Sequence, residues 1–273
     1  MMTEIPAVRG FIRMCTDGWE QGWHERNGGN LTYRMKPEEV EQCRPFFTAP
    51  REWNNMGVQA DNLKGEYFIT TGSGKFLRNV QDDPEHNIGI VEINDAGDSW
   101  RIVWGLENGA RPTSEFPSHF MNHSVRKAAT NGAYRVIYHA HTPNLIAMTY
   151  IMQMTARDFT RDLWKSATEC TVVFPGGVGV VPWMVPGGAD IAMATSELMK
   201  KYDAAVWAHH GLFVSGPDYD ITFGLMHTIE KAAQIYMLAI TAGGGKIRQT
   251  IKDDNLRAIA KEFGVELNEE FLN

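Results

Sequence analysis

The spacing of apolar residues predicts an amphipathic helix near the N-terminus. Val8, Phe11, Cys15 and Trp19 recur every three or four residues, which places them on one helical face, and Gly22 follows where such a helix would end. We interpret this face as part of the core. Other segments with helical character are predicted at 118–130, 144–154, 189–201, 221–241 and 254–263.

Shorter runs rich in β-branched and aromatic residues, bounded by Gly, Pro and Asn, predict strands. The first predicted strand follows a glycine turn and reaches residue 34. The segment from 37 to 64 is predicted to be irregular, with one short helix and surface loops. The predicted strands cover 67–71, a hairpin of 88–93 and 100–104, then 136–141, 178–185 and 203–211.

Strands that intermix with helices favour an α/β protein. We expect one domain spanning residues 1–273, with three α/β/α layers and a central mixed, mostly antiparallel sheet that carries helices on both faces.

The composition excludes several classes of function. The chain has 273 residues, 43% hydrophobic and 22% charged, which is ordinary for a globular protein. A net charge of −7 without a basic cluster argues against nucleic acid or an anionic membrane as partner. No leader peptide or membrane-spanning stretch is recognisable, and the three cysteines are widely spaced. We therefore expect a soluble cytoplasmic protein.

Two histidines end the apolar run at 136–141. In a strand, alternate residues share a face, so His139 and His141 could reach one metal ion together, although a structural pair of histidines remains an equal alternative for this motif alone. A second apolar run ends in His209 and His210, one of which could supply a third imidazole. Three histidines with one open position are typical of catalytic zinc. Hydratase, hydrolase and aldol chemistry all remain open at this point.

Three turns are rich in hydrogen-bond donors. They comprise 27–30 (Asn-Gly-Gly-Asn), 72–75 (Gly-Ser-Gly-Lys) and 113–114 (Thr-Ser), the last just before a predicted helix. Each alone could be a plain tight turn, and the second does not satisfy the P-loop pattern. Together they favour an anion pocket, because glycine-rich loops and helix N-termini present free N–H groups.

These motifs, taken as an ordered set, carry a resemblance to a known family. The set comprises Glu25-Arg26-Asn27-Gly28-Gly29-Asn30-Leu31, Thr71-Gly72-Ser73-Gly74-Lys75, Pro112-Thr113-Ser114-Glu115, His139-Ala140-His141 and His210-Gly211. It resembles the class II (metal-dependent) aldolase/epimerase/adducin-head family along nearly the whole chain. The resemblance implies reversible cleavage of a sugar phosphate, L-rhamnulose 1-phosphate, to dihydroxyacetone phosphate and L-lactaldehyde.

The resemblance also implies a role for individual residues. One Zn²⁺ per subunit would be held by His139, His141 and His210, and Glu115 would transfer a proton on the dihydroxyacetone carbon. Glu169 would reach a neighbouring subunit's site near the aldehyde end of the substrate, in a C4 homotetramer whose sites lie close to subunit interfaces. The phosphate and ketose pocket would be formed by Asn27, Gly29, Asn30, Ser73, Gly74, Thr113 and Ser114.

The residues themselves agree with a metal-dependent aldol mechanism. A cation provides the electron sink for the carbanion, so no Schiff-base lysine is needed, and Lys75 in its polar, glycine-rich turn lacks the desolvation that would lower a lysine pKa. The alternatives are a sugar-phosphate 4-epimerase of the same family and a non-catalytic scaffold resembling the adducin head. A carbonic-anhydrase-like hydratase would explain the paired histidines but not the donor-rich turns.

Overall fold

The computed structural model describes all residues 1–273 and is built on one nine-stranded sheet. The strand order is β2-β5-β4-β3-β1-β6-β9-β8-β7, and every neighbouring pair is antiparallel except the parallel pair of β7 and β8. The strands are β1 (Asn30–Arg34), β2 (Asn54–Asn55), β3 (Tyr67–Thr71), β4 (Ile88–Ile93), β5 (Ser99–Gly105), β6 (Val136–Ala140), β7 (Gly179–Val181), β8 (Ala204–Trp207) and β9 (Gly211–Gly216).

Ten α-helices complete the fold, with short 3₁₀ turns between several elements. The helices are α1 (Pro6–Glu20), α2 (Pro37–Cys43), α3 (Pro84–Asn87), α4 (Phe116–Ala129), α5 (Pro143–Met148), α6 (Ala156–Ser166), α7 (Cys170–Val173), α8 (Ala189–Leu198), α9 (Tyr219–Ala242) and α10 (Asp253–Phe263). None of them is long and apolar enough to span a bilayer.

The central strands are buried on both faces, as the three-layer prediction requires. In β1, Leu31 and Tyr33 face a cluster of 45 buried residues that includes α1 and α9. Thr32 faces the opposite side, where its hydroxyl lies 2.8 Å from ring nitrogens of His119 and His123 in α4. Helices therefore cover both faces of the mixed, mostly antiparallel sheet, and the predicted α/β fold class is confirmed.

Three predicted elements differ from the structure. The helix expected at 144–154 ends at Met148, because the Thr149 hydroxyl bonds back to the Ile146 carbonyl and the chain turns away before α6. The strand expected at 178–185 covers only Gly179–Val181. The strand expected at 203–211 ends at Trp207, and the chain reverses through 208–210.

Strand β9 was not predicted, although it lies in the middle of the sheet. It pairs with β6 on one side and β8 on the other. The segment 204–214 is apolar on both sides of His209-His210-Gly211, and these three residues were assigned to the end of one strand, so the second strand was missed. The reversal depends on His209, whose φ of 57° is in the left-handed region.

Candidate active site

Strand ends from several parts of the sequence meet at one edge of the sheet. Because β1 is antiparallel to β3 and β6, the start of β1 lies beside the ends of both, and Asn30 is in register with His139. The end of β6 also lies beside the start of β9, just after the turn that carries His210. The predicted site residues from these strands are therefore brought to the same edge.

Three histidines form a compact cluster there. One ligand atom each from His139, His141 and His210 lies within 4.8 Å of the other two, and the Nε2 atoms of His139 and His210 are 3.3 Å apart. Two nitrogens bound tetrahedrally at zinc–nitrogen distances of about 2.0–2.1 Å would be about 3.3 Å apart. The donor set and its spacing therefore fit a tetrahedral metal site.

Hydrogen bonds to the outer ring nitrogens orient two of the three rings. His139 Nδ1 donates to the Leu212 carbonyl at 3.1 Å, and His141 Nδ1 lies 2.6 Å from the Glu25 carboxylate. Each hydrogen bond occupies Nδ1 and leaves the Nε2 lone pair free for a cation. Histidines that bind a metal usually donate their other ring N–H to a carbonyl or a carboxylate in this way. Glu25 belongs to the first recognised motif, but no role was predicted for it.

His210 reaches the cluster from a turn and not from a strand. The chain reverses at Ala208-His209-His210. His209 and His210 therefore point in different directions because of the turn, and not because side chains alternate along a strand. His209 packs against the Tyr150 ring at 4.3 Å and lies 3.1 Å from the Thr149 hydroxyl. His210 is the third member of the cluster, and its buried Nδ1 has no partner within the chain.

Burial disfavours the charged form of two histidines in the cluster. Desolvation lowers the pKa of His210 to about 4 and that of His139 well below its usual value, and the neighbouring imidazoles add to the effect. These two rings keep their lone pairs at pH 7, which is the state that binds a metal.

A buried relay holds the glycine turn against the cluster. The Tyr138 hydroxyl donates to His24 Nε2 at 2.6 Å, and His24 Nδ1 donates to the Gly28 carbonyl at 3.0 Å. A Cβ atom at position 28 would lie 2.8 Å from the His141 ring, so glycine is needed for this close approach. The turn thereby positions both the His141 ring and its Glu25 partner.

Glu115 lies at the N-cap position of α4 beside the cluster. Its Oε2 accepts a hydrogen bond of 3.0 Å from Asn30 Nδ2, and Asn30 is the cross-strand neighbour of His139. Burial raises the pKa of Glu115, while the Asn30 hydrogen bond and the charge of His141 oppose that rise. A carboxyl group with a raised pKa can both hold and release a proton near neutral pH.

The second and third donor-rich turns are joined by backbone pairing. Ser73 N donates to the Arg111 carbonyl at 2.9 Å, and Thr113 N donates to the Thr71 carbonyl at 2.8 Å. The side chain of Thr113 is buried and accepts from Glu115 N at 3.3 Å. Of the remaining predicted donors in the three turns, Gly29 is half-buried against His24, and the exposed ones are Asn27, Ser73, Gly74 and Ser114.

Glu169 is the one predicted site residue that the chain does not bring to this edge. Its side chain is exposed at the start of α7, which packs against α9 and α10. No hydrogen bond or ion pair connects it with the histidine cluster. Its predicted role in a neighbouring subunit's site stays a prediction.

A family model shows which family the chain belongs to. The model described as "Class II Aldolase and Adducin N-terminal domain" matches residues 9–237. The chain belongs to this class II aldolase family. It is 46% identical over 268 residues to rhamnulose-1-phosphate aldolase of Klebsiella pneumoniae, covering 97% of this chain and 96% of that protein. It is 47% identical over 264 residues to rhamnulose-1-phosphate aldolase of Escherichia coli K12, with the same shares covered.

Solved structures agree with the class II aldolase fold. A sugar-phosphate aldolase from Thermotoga maritima superposes with a TM-score of 0.73 at 26% identity, covering 87% of this chain and 96% of that one. An L-fuculose 1-phosphate aldolase from Glaciozyma antarctica has a similar fold, with a TM-score of 0.58 at 17% identity over 94% of this chain and 83% of its own.

The predicted family and enzyme class are therefore confirmed. This class II aldolase is an aldehyde-lyase of a metal-dependent family, and its three-histidine cluster could hold the metal.

Proposed function

We propose that this class II aldolase reversibly cleaves L-rhamnulose 1-phosphate to dihydroxyacetone phosphate and L-lactaldehyde. The observation that carries the proposal is the meeting of three imidazoles, the Glu115 carboxyl and two paired donor-rich turns at one edge of the sheet. The choice of sugar rests on 46–47% identity to rhamnulose-1-phosphate aldolases over 97% of the chain.

The proposed metal is one Zn²⁺ per subunit, held by His139, His141 and His210. Three imidazole nitrogens are a donor set typical of catalytic zinc, and no thiol or carboxylate belongs to the cluster. When bound, the ion would supply positive charge to the oxygens of the ketose and so act as the electron sink for carbon–carbon cleavage.

The proposed role of Glu115 is proton transfer at the dihydroxyacetone carbon. Burial raises the pKa of this carboxyl, which favours a protonated form that can donate to a carbon bearing negative charge. Asn30 supports this role, because its amide donates to one Glu115 oxygen and fixes the direction of the other. The proposed mechanism needs no Schiff-base lysine, so Lys75 is given a role in supporting its loop or an anion.

The proposed phosphate and ketose pocket supplies local donors in a chain with a net charge of −7. Ser73 and Ser114 are exposed at the joined turns, and Gly74, which is left-handed (φ 69°), turns the backbone directly after Ser73. The pocket is completed by Asn27, Gly29, Asn30 and Thr113.

The proposed assembly is a C4 homotetramer that brings Glu169 of a neighbouring subunit to the aldehyde end of the substrate. The exposure of Glu169 away from its own cluster supports this arrangement. A cytoplasmic location is also part of the proposal, and the three free, buried cysteines suit a reducing compartment.

A coupled assay tests the proposal. Release of dihydroxyacetone phosphate from L-rhamnulose 1-phosphate is followed through a reporter dehydrogenase, before and after removal of metal by a chelator and after return of Zn²⁺. We expect turnover that disappears with the metal and returns with Zn²⁺. Full activity after complete metal removal would refute the metal-dependent mechanism, and isomerisation of the sugar without release would indicate the 4-epimerase.

The role of Glu115 has a separate test. Glu115→Ala should retain zinc at close to one ion per chain and lose the exchange of dihydroxyacetone phosphate protons with solvent deuterium, which NMR measures directly. Glu107→Ala, which removes an exposed carboxylate in the loop between β5 and α4, is the matched control and should exchange normally. Undiminished exchange in Glu115→Ala would remove Glu115 from this role.

A further inference from the structure

A second cavity lies away from the histidine cluster. It has a volume of about 390 Å³ and opens where β1 ends and β6 begins, whereas the candidate active site lies where β1 begins and β6 ends. Asn30 and Arg34 mark the two ends of β1, and four residue steps at about 3.3 Å each separate them by about 13 Å. The two sites therefore share strands but no lining residues.

Cations dominate the lining of this cavity. Four basic and two acidic side chains contribute, which leaves an excess of two positive charges in a chain whose net charge is −7. These side chains are Arg34, Arg44, Lys127, Arg135, Glu41 and Glu66.

The acidic residues do not neutralise the cluster. Glu66 pairs with both Arg34, at 3.1 Å, and Lys127. Glu41 pairs with Arg44 at 2.7 Å. Arg135 has no carboxylate partner, and its Nη1 reaches only the backbone carbonyls of Arg34 and Met35 at 3.2 Å, which leaves its other guanidinium donors free.

Arg34 is also incompletely satisfied. Its side chain is 3% exposed, its Nη groups bond Glu66 and the Gly132 carbonyl, and its buried Nε has no partner. Burial lowers the pKa of Arg34, the charge of Glu66 opposes this, and the positive charge of Arg135 lowers the pKa further. Two guanidinium groups that repel each other at a concave surface would be stabilised by an anion placed against them.

We propose that this cavity is a second anion site, distinct from the active site, which binds a small phosphate-bearing molecule with Arg135 as its main donor and Arg34 and Lys127 as supporting charges. A phosphate group carries a charge of about −1.5 to −2 at neutral pH, which matches the excess of two positive charges. The planar guanidinium can bind two phosphate oxygens at once. This inference does not depend on the identity of the aldolase substrate.

Titration calorimetry of the metal-loaded protein with inorganic phosphate tests the proposal. The Ser73→Ala/Ser114→Ala double variant serves as background, because it removes hydroxyls from the proposed substrate-phosphate pocket. In this background we expect one saturable phosphate site per chain, which Arg135→Gln weakens by about tenfold, the effect of losing one charge-assisted contact.

Arg248→Gln is the matched control, because Arg248 is exposed and has no ion pair. It removes the same charge and should leave phosphate affinity unchanged. Lys127→Gln provides a second test if Arg135→Gln does not fold, and it should also weaken binding. Absence of saturable binding in the double-variant background, or equal affinities for Arg135→Gln and Arg248→Gln, would overturn the proposal.

Discussion

Removal of the Glu25 carboxylate should weaken metal binding without removing any metal ligand. Glu25 holds His141 Nδ1 at 2.6 Å and is thereby expected to fix the ring with Nε2 directed at the cluster. In Glu25→Ala the His141 ring can rotate and can adopt either tautomer. Zinc binding must then order the ring, which makes the binding free energy less favourable.

The expected magnitude is about tenfold in zinc affinity. Loss of the outer partner of a ligating histidine costs about 10–100-fold. The Glu25 side chain is 66% exposed, so water can replace part of its interaction, and the effect should lie at the lower end. Tenfold corresponds to about 1.4 kcal/mol. Glu25→Gln, which keeps an oxygen acceptor but no charge, should fall between wild type and Glu25→Ala.

The assay is competition for Zn²⁺ between the protein and a chelator of known affinity. Glu20→Ala is the control, because Glu20 is an exposed carboxylate nearby in sequence with no ion pair. If Glu25→Ala binds zinc as tightly as wild type, or if Glu20→Ala loses as much affinity, the carboxylate does not orient His141 and the reasoning is refuted.

Four further results are expected. Gly28→Ala should reduce zinc content and turnover together, because its Cβ would lie 2.8 Å from the His141 ring; metal analysis and kinetics on the same sample check this. Glu230→Ala should lower the free energy of unfolding in urea by about 2–4 kcal/mol, because the buried carboxylate accepts three hydrogen bonds at the start of α5. Burial lowers the pKa of His119 to about 3. Below about pH 6.5 the unfolded chain therefore binds a proton at His119, whereas the folded chain does not. His119 alone should therefore contribute up to about 1.4 kcal/mol per pH unit to the loss of stability on acidification, and His119→Asn should reduce the slope by that contribution in urea titrations at pH 7, 6 and 5. Glu169→Ala should lose turnover yet keep its zinc, and wild-type steady-state kinetics would contradict its proposed role.

Much of the fold follows from local patterns in the sequence. The amphipathic spacing from Val8 to Trp19 and the glycine at 22 predicted α1, and the hairpin at 88–104 is present as β4 and β5. The alternation of His139 and His141 also predicted their shared direction, because side chains on a strand repeat every two residues.

The other parts of the site depend on long-range pairing, which local patterns do not encode. His210 reaches the cluster because β9 returns beside β6, and the sequence pattern did not separate β9 from β8. The contact between Glu25 and His141 joins residues 116 positions apart, and the relay from Tyr138 through His24 joins residues 114 apart. Only the ordered set of motifs, matched as a whole, predicted that these segments belong together.

One metal ion is proposed to be held by three imidazoles, which come from β6, from the residue directly after it and from the turn after β8. Anomalous diffraction at the zinc edge, from crystals of the zinc-loaded protein, tests this most directly. We expect one strong peak per chain, about 2.0–2.1 Å from a nitrogen of each of His139, His141 and His210. A peak bound by other residues, or a fully active enzyme with no peak at this cluster, would contradict it.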